Sequence, residues 1–282
     1  MNEWTIESML KWAAEDFRQK GIDSPRLDAE VLLAHAIGTT RMQLILDSKR
    51  LLETGELGRF RELVKRRRNR EPVAYLKGER EFYGRPFRVD ARVLVPRPET
   101  EHLVDVALAR TASRSMSLRA LDACTGSGCV AITIAKERPT SVVVATDVSG
   151  DALAVARDNA LRLGAYNVAF EEADLFPRSG TFDLIVSNPP YIASAEIETL
   201  APEVSKHEPR LALDGGGDGL DIVRRIVASV GKFLDVGGVL ALEVGDGDAP
   251  KAAALLDVAF DDVRVQRDYG QIERIVSGVL RA

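Results

Sequence analysis

Apolar residues recur at helical spacing from Ile6 to about Arg70: Met9, Leu10 and Ala13, then Leu27, Val31 and Ala34, then Leu57, Phe60 and Val64. Each set predicts an amphipathic helix. Turn signals separate them, with Ser24 a candidate N-cap ahead of Pro25 and Gly38-Thr39-Thr40 closing the next helix. Between Pro72 and Pro98 the period shortens to the β-type runs Val73-Ala74-Tyr75-Leu76, Glu81-Phe82-Tyr83 and Phe87-Arg88-Val89, broken by Gly78, Gly84 and Pro86. A hairpin linker is expected there, with Phe82 and Phe87 packing in a core rather than lining a ligand pocket. From Glu99 onward strands at 119–122, 142–146, 168–173, 182–186, 239–244, 263–267 and 274–280 alternate with helices at 130–138, 151–163, 220–236 and 249–256. Such alternation predicts an α/β fold, a doubly wound sheet of parallel strands with crossover helices on both faces, while the last two strands read as a hairpin. The expected organisation is a helical domain over 1–71, a linker over 72–98 and an α/β domain over 99–282.

Composition narrows the class. A chain of 282 residues favours two domains, each with its own core. Hydrophobic residues make up 45% and charged residues 29%, and no stretch reaches the roughly 18 consecutive apolar residues of a membrane span. The first eight residues are acidic and polar, so a cytoplasmic location is expected, with no membrane partner. Cys124 and Cys129 are the only cysteines and, with three histidines, too few for a disulfide framework or a structural zinc site, so no metal is expected. A net charge of -5 argues against a long nucleic acid as the main partner. One basic run, Lys65-Arg66-Arg67-Arg68-Asn69-Arg70, reads either as a solvated helix end whose cations complement the dipole or as a dock for an acidic partner.

Candidate chemistry gathers at strand ends. The segment Asp122-Ala123-Cys124-Thr125-Gly126-Ser127-Gly128 follows one strand and opens a helix, where glycines let a ligand approach backbone N–H groups. Asp147 ends the next strand, placed to accept hydrogen bonds from both hydroxyls of a ribose. The third glycine of a dinucleotide fingerprint is absent, which favours a mononucleoside-like ligand. Asp174-Leu175-Phe176 closes the third strand and reads either as a surface turn or as an adenine contact, with Asp174 taking the exocyclic amine and Leu175 covering the ring. The fourth strand stops at Ser187-Asn188-Pro189-Pro190-Tyr191-Ile192, because two prolines cannot continue a ladder. There the Asn188 side-chain carbonyl and the Pro189 backbone carbonyl are able to accept both hydrogens of a planar NH2 group. The prolines hold these acceptors still, and Tyr191 packs on the face of the same group. Two fixed acceptors pull charge toward a poorly nucleophilic amide nitrogen and stabilise the positive charge that grows on it during attack.

These motifs resemble the class I methyltransferases that use S-adenosylmethionine and act on amide or exocyclic amino nitrogens. Ser24-Pro25-Arg26-Leu27-Asp28-Ala29-Glu30, Glu71-Pro72-Val73-Ala74-Tyr75-Leu76, Pro96-Arg97-Pro98-Glu99-Thr100-Glu101 and His207-Glu208-Pro209-Arg210-Leu211-Ala212-Leu213 narrow the resemblance to the peptide chain release factor glutamine methyltransferases, over nearly the whole chain. The resemblance implies a Rossmann-like seven-stranded sheet, a small helical N-terminal domain for substrate recognition and a β-hairpin linker. It implies methylation of the glutamine in the Gly-Gly-Gln tip of release factors, with S-adenosylhomocysteine as the other product. Cys124, Thr125, Gly126, Ser127 and Gly128 then match the cofactor loop, Asp147 the ribose ligand, Asp174 and Leu175 the adenine side, and Asn188, Pro189, Pro190 and Tyr191 the glutamine clamp, with Asn188 also beside the cofactor. Two departures stand out: Cys124 replaces a common glycine, and Leu175 replaces a tryptophan found in some members. Methyl transfer to nitrogen needs no covalent intermediate, so Cys124 is not read as a catalytic thiol. The stretch 214–219 is either a glycine-hinged lid or a plain connector. A monomer acting on release factors without binding nucleic acid is expected. The alternatives are a ribosomal-protein glutamine methyltransferase, an adenine amino-methyltransferase on DNA or RNA, and a regulatory module that binds a nucleoside without turnover.

Overall fold

The structure is a computed structural model and describes residues 4–114 and 116–282. The chain divides into two compact units, one running to Gly78 and taking in Ala201–His207, the other made of Glu79–Leu200 and Glu208–Ala282.

The first unit is helical: α1 (Ile6–Gln19), α2 (Pro25–Ile37), α3 (Arg41–Leu46), α4 (Thr54–Arg68) and α5 (Val73–Lys77). Thr5 opens α1 with a reciprocal cap, its hydroxyl accepting from Ser8 N at 3.2 Å while Ser8 Oγ accepts from Thr5 N at 2.9 Å. Ser24 precedes α2 without a side-chain cap bond, leaving Pro25 and the left-handed Gly38 (φ +69°) to mark its ends. Met9, Phe17, Leu32, Leu33 and Phe60 fill the core. Leu27, expected inside, is 43% exposed. The inward face of α2 instead carries Ala29, Leu32, Leu33 and Ala36, and beside them Asp28 and Glu30 turn in to meet arginines. Val73–Lys77 corrects the expectation of a strand. Five residues between Pro72 and the left-handed Gly78 (φ +72°) close one helical turn, with Leu76 N donating to Pro72 O at 3.1 Å.

The basic run at the end of α4 is tied largely to its own unit. Arg67 is buried and donates from Nε to Asp28 and from Nη2 to Glu203, both at 2.8 Å. Arg70 reaches the other Glu203 oxygen at 2.9 Å, Arg66 pairs with Glu71, and Arg68 lies 3.3 Å from Asp16. Four of these cations are therefore engaged by carboxylates of their own unit.

The second unit begins with the antiparallel hairpin β1 (Glu79–Phe82) and β2 (Arg85–Arg88), followed by α6 (Pro98–Arg110), β3 (Arg119–Ala123), α7 (Cys129–Glu137), β4 (Val142–Asp147), α8 (Gly150–Leu163), β5 (Val168–Glu172) and β6 (Phe182–Ser187). The chain then passes through α9 (Pro202–Ser205), which belongs to the first unit, and continues with α10 (Asp221–Ser229), β7 (Leu234–Glu243), α11 (Ala249–Leu256), β8 (Phe260–Arg267) and β9 (Glu273–Leu280). The sheet has seven strands in the order β5-β4-β3-β6-β7-β9-β8, parallel except for β9, which is antiparallel to both its neighbours. Residues 234–236, expected as the tail of a helix, open β7 instead, with Leu234 paired to Phe182. Alternation sorts side chains to the two faces. Ala120, Leu184, Val186, Val239 and Ala241 join α6 and α7 in one core, while Leu121, Ile185, Leu240 and Leu242 join α10 and α11 in the other. Phe82 and Phe87 pack edge to face in the first core, 6.0 Å between centroids. Among the described residues no helix is long and apolar enough to cross a membrane.

Candidate active site

Strand register lines up the chemistry. Ala123 on β3 pairs with Thr146 on β4 and Ser187 on β6, and Ser187 pairs with Leu242 on β7. One residue further on, Cys124, Asp147, Asn188 and Glu243 therefore form a row across four strand tips. Chain order reverses between β3 and β6, where the loops that follow them separate and open a crevice of the kind that holds ligands in such sheets.

That crevice is a cavity of about 340 Å³, lined by Gly126, Asp147, Leu175, Asn188 and Ile222 among others. Its size suits a small organic ligand. Buried Asp122 shapes the loop beneath, accepting from Thr125 Oγ1 at 2.6 Å and from Ala131 N at 3.0 Å, and burial pushes its carboxyl up to about 7. Asp147 is fixed on both sides, taking Gly126 N on Oδ2 and Ser149 N on Oδ1, each at 2.9 Å. Burial raises its pKa against the pull of these N–H groups. Gly128 needs to be glycine: its φ is +80°, and a Cβ would come 2.9 Å from Ile132 Cδ1 and 3.1 Å from Ala156 Cβ. At Gly126 a Cβ would meet nothing within 4 Å, so the loop backbone faces open space there.

Cys124 and Leu175 both adopt left-handed backbone, φ +62° and +71°. Such a conformation costs a residue with a side chain about 1–2 kcal/mol and collects at functional loops. It gives a physical reason why glycine would suit position 124 better than cysteine. Leu175 is held by its carbonyl, which accepts from Thr146 Oγ1 at 2.6 Å. Burial pushes the Cys124 thiol up to about 12, leaving it protonated and unreactive at neutral pH. Asp174 lies at the rim in an exposed ion pair with Arg225, 2.6 Å apart. Such a pair is worth little and exchanges readily.

At the tip of β6 the Asn188 amide donates from Nδ2 to the buried Thr100 hydroxyl at 3.1 Å, so Oδ1 is the atom it has left to offer. Tyr191 turns its phenol to Glu243 Oε1 at 3.2 Å, and burial, ahead of the nearby Glu243 charge, raises its pKa. Glycines support the clamp from behind. Ile192 N donates to Leu213 O at 3.0 Å and Gly215 N to Ile192 O at 2.8 Å, and a Cβ on Gly215 would come 2.7 Å from Tyr191 Cα. A Cβ on Gly219 would run into Tyr191 O. The stretch 214–219 is thus packed on the clamp backbone. Beside it, Arg97 grips both oxygens of Glu208, at 2.8 and 2.7 Å, joining the segments around Pro98 and Pro209.

Of the residues singled out in the sequence, Cys124, Gly126, Asp147, Asp174, Leu175, Asn188 and Pro190 line the cavity. Thr125, Gly126 and Ser127 border a smaller recess of about 40 Å³ that Asn188 also reaches. Gly128, Pro189 and Tyr191 are not among the residues lining either space. Thr100 and Glu243 were not anticipated. The available signal was a carboxylate at the end of the strand Val239-Leu240-Ala241-Leu242-Glu243, the same feature that marks Asp147.

The family model described as the PrmC N-terminal domain matches residues 8–78, and that of the methyltransferase small domain matches residues 104–225. The chain is 44% identical to the release factor glutamine methyltransferase of Chlorobaculum tepidum, covering 97% of both chains. It is 42% identical to that of Geobacter sulfurreducens, over 98% of this chain and 96% of the relative. Among solved structures, the 16S rRNA N2 G1207 methyltransferase of T. thermophilus superposes with a TM-score of 0.53 at 16% identity, over 72% of this chain and 50% of that one, a likeness of fold alone. With this identity to curated relatives sustained over nearly its whole length, the chain belongs to the family of release factor glutamine methyltransferases.

Proposed function

We propose that the protein transfers a methyl group from S-adenosylmethionine to the side-chain amide nitrogen of the glutamine in the Gly-Gly-Gln motif of peptide chain release factors. The observation that carries this reading is Asn188 at the wall of the cavity with its NH2 engaged by Thr100, which leaves its side-chain oxygen as an acceptor. An oxygen acceptor there suits a substrate that presents an NH2 group. The Pro189 carbonyl is assigned the second hydrogen.

The cavity fits a nucleoside-sized group. It offers a fixed carboxylate at Asp147 for ribose hydroxyls, apolar cover from Leu175 and Ile222, and an open backbone at Gly126. Asp174, freed from Arg225, is assigned the adenine amine. When bound, S-adenosylmethionine supplies a sulfonium methyl carbon as electrophile. Asn188 and Pro189 orient the glutamine nitrogen, draw density toward it and stabilise the charge that develops, the kind of effect that fixed dipoles supply most strongly. The nitrogen lone pair forms the N–C bond as the C–S bond breaks, and the surplus proton leaves to water. The helical first unit is assigned recognition of the protein substrate.

Tritiated S-adenosylmethionine offered with purified release factor, ribosomal protein or DNA tests the assignment. Label is expected on release factor, and on its Gly-Gly-Gln peptide after digestion. Label on ribosomal protein or DNA alone would overturn the substrate assignment.

A further inference from the structure

In the first unit α1 and α3 both pack against α2, and residues of all three helices line a surface groove of about 780 Å³. Its apolar lining is Leu10, Ala14, Leu44 and Ile45. Leu44 is buried in the core, whereas Ile45 is 62% exposed and shares its face of α3 with Met42 and Leu46, at 65% and 69%. Positions 42, 45 and 46 fall on one side of a helix. The short α3 therefore turns outward an apolar stripe that the core of its own unit does not bury.

Five cations and three carboxylates also line the groove, and their pairing is uneven. Glu7 is shared by Lys11 and Lys49, each at 2.7 Å. Glu30 is shared by Arg26 at 2.8 Å and Arg41 at 2.7 Å, while Glu15 pairs with Arg18. Two carboxylates thus hold four exposed cations. An ammonium has three N–H donors and a guanidinium five, so each shared site is able to take a further acid. The local excess is positive in a chain whose net charge is -5.

We propose that this groove docks the protein substrate, taking a surface segment of the release factor in which apolar side chains stand beside carboxylates. This rests on the reading of release factor as the methyl acceptor. The cavity beside Asn188, about 340 Å³, is sized for a nucleoside, so the contacts that distinguish a whole protein from a loose glutamine lie elsewhere. A nucleic acid suits the groove less well, because carboxylates stand among its cations and an apolar stripe borders it. Acids of the partner at Arg26 and Lys49 steer the encounter and fix its register, and apolar side chains against Ile45 supply burial.

The test measures KM and kcat for methyl transfer to intact release factor, with cofactor binding by calorimetry on the same samples. It compares the parent, Ile45→Asp, Arg26→Glu combined with Lys49→Glu, and Lys20→Glu as a charge control outside the groove lining. All four positions are exposed, so the fold should hold. Each groove variant should raise the KM for release factor about tenfold, as removal of a well-placed interface residue does. The kcat and cofactor binding should stay parental. Added salt should raise the parental KM and barely move that of the double charge variant. If Ile45→Asp melts early, the charge variant decides. Parental KM in the groove variants would overturn the docking site, and so would an equal rise in Lys20→Glu, the mark of a diffuse charge effect. Groove variants that turn a sedimenting dimer into a monomer at unchanged KM would assign the groove to a second copy and overturn it as well. If the parent leaves release factor unlabelled, the methyl acceptor itself is misassigned and the docking site falls with it.

Discussion

Asn188 carries both a donor and an acceptor, and Thr100 on α6 engages the donor. The turn after β6 was readable in sequence and its support was not. Two prolines after an amide at the end of an apolar strand state their own geometry. The bonds from Asn188 to Thr100 and from Tyr191 to Glu243 join residues 88 and 52 positions apart, and no local pattern encodes them. Asp147 was legible because its strand register alone places it. Asp147→Ala should weaken cofactor binding about 10- to 100-fold, the loss of one or two hydrogen bonds to a charged acceptor, as read by calorimetric titration. Glu243 also has a consequence for stability. Its folded pKa, about 7, lies above the ordinary 4.5, so the folded state holds the proton more tightly. The associated stability is present below about pH 4.5 and is lost as pH rises through 7. Urea unfolding of Glu243→Gln and parent should therefore show the variant gaining relative stability from pH 5 to pH 8, and a constant difference would contradict it.

Elements were predicted best where alternation and crossover agreed. The sheet strands were expected within a few residues of where they lie, because period-two burial on both faces leaves little freedom of register. The misreadings have local causes. Val73-Ala74-Tyr75-Leu76 has β-type composition, yet Pro72 and Gly78 fix both ends of a single helical turn. Leu234 and Val236 continue an apolar spacing from α10, but pairing of Leu234 with Phe182 draws them into the sheet. Within the stretch read as a hinge or a connector, Gly215 and Gly219 pack closely on the Tyr191 backbone. Gly219→Ala puts a Cβ against the Tyr191 carbonyl at φ +80°. It should cost about 1–3 kcal/mol of stability and lower kcat further by displacing the clamp. A variant with parental melting and parental kcat would contradict this packing role.

Across the whole molecule, each of the two units has its own internal ties. In the first, Arg67 joins Asp28 on α2 to Glu203 in the segment that returns to this unit from the far side of β6. Arg67→Ala leaves two carboxylates short of a partner and should destabilise that unit by about 3–5 kcal/mol. Faster hydrogen exchange across 201–207 checks it, and unchanged exchange there would contradict it. The sequence carried the residue types of this tie but not their pairing, since Arg67 sits in a run of cations that reads as a solvated helix end or as a dock for an acidic partner. The proposed methyl transfer turns on oxygen acceptors activating an amide nitrogen. Its most direct test is single-turnover methyl transfer to release factor by Asn188→Ala, with cofactor binding measured on the same sample. A rate reduced about 100-fold, or roughly 3 kcal/mol of transition-state stabilisation, with cofactor still bound, is the predicted result. Transfer at the parental rate would contradict it.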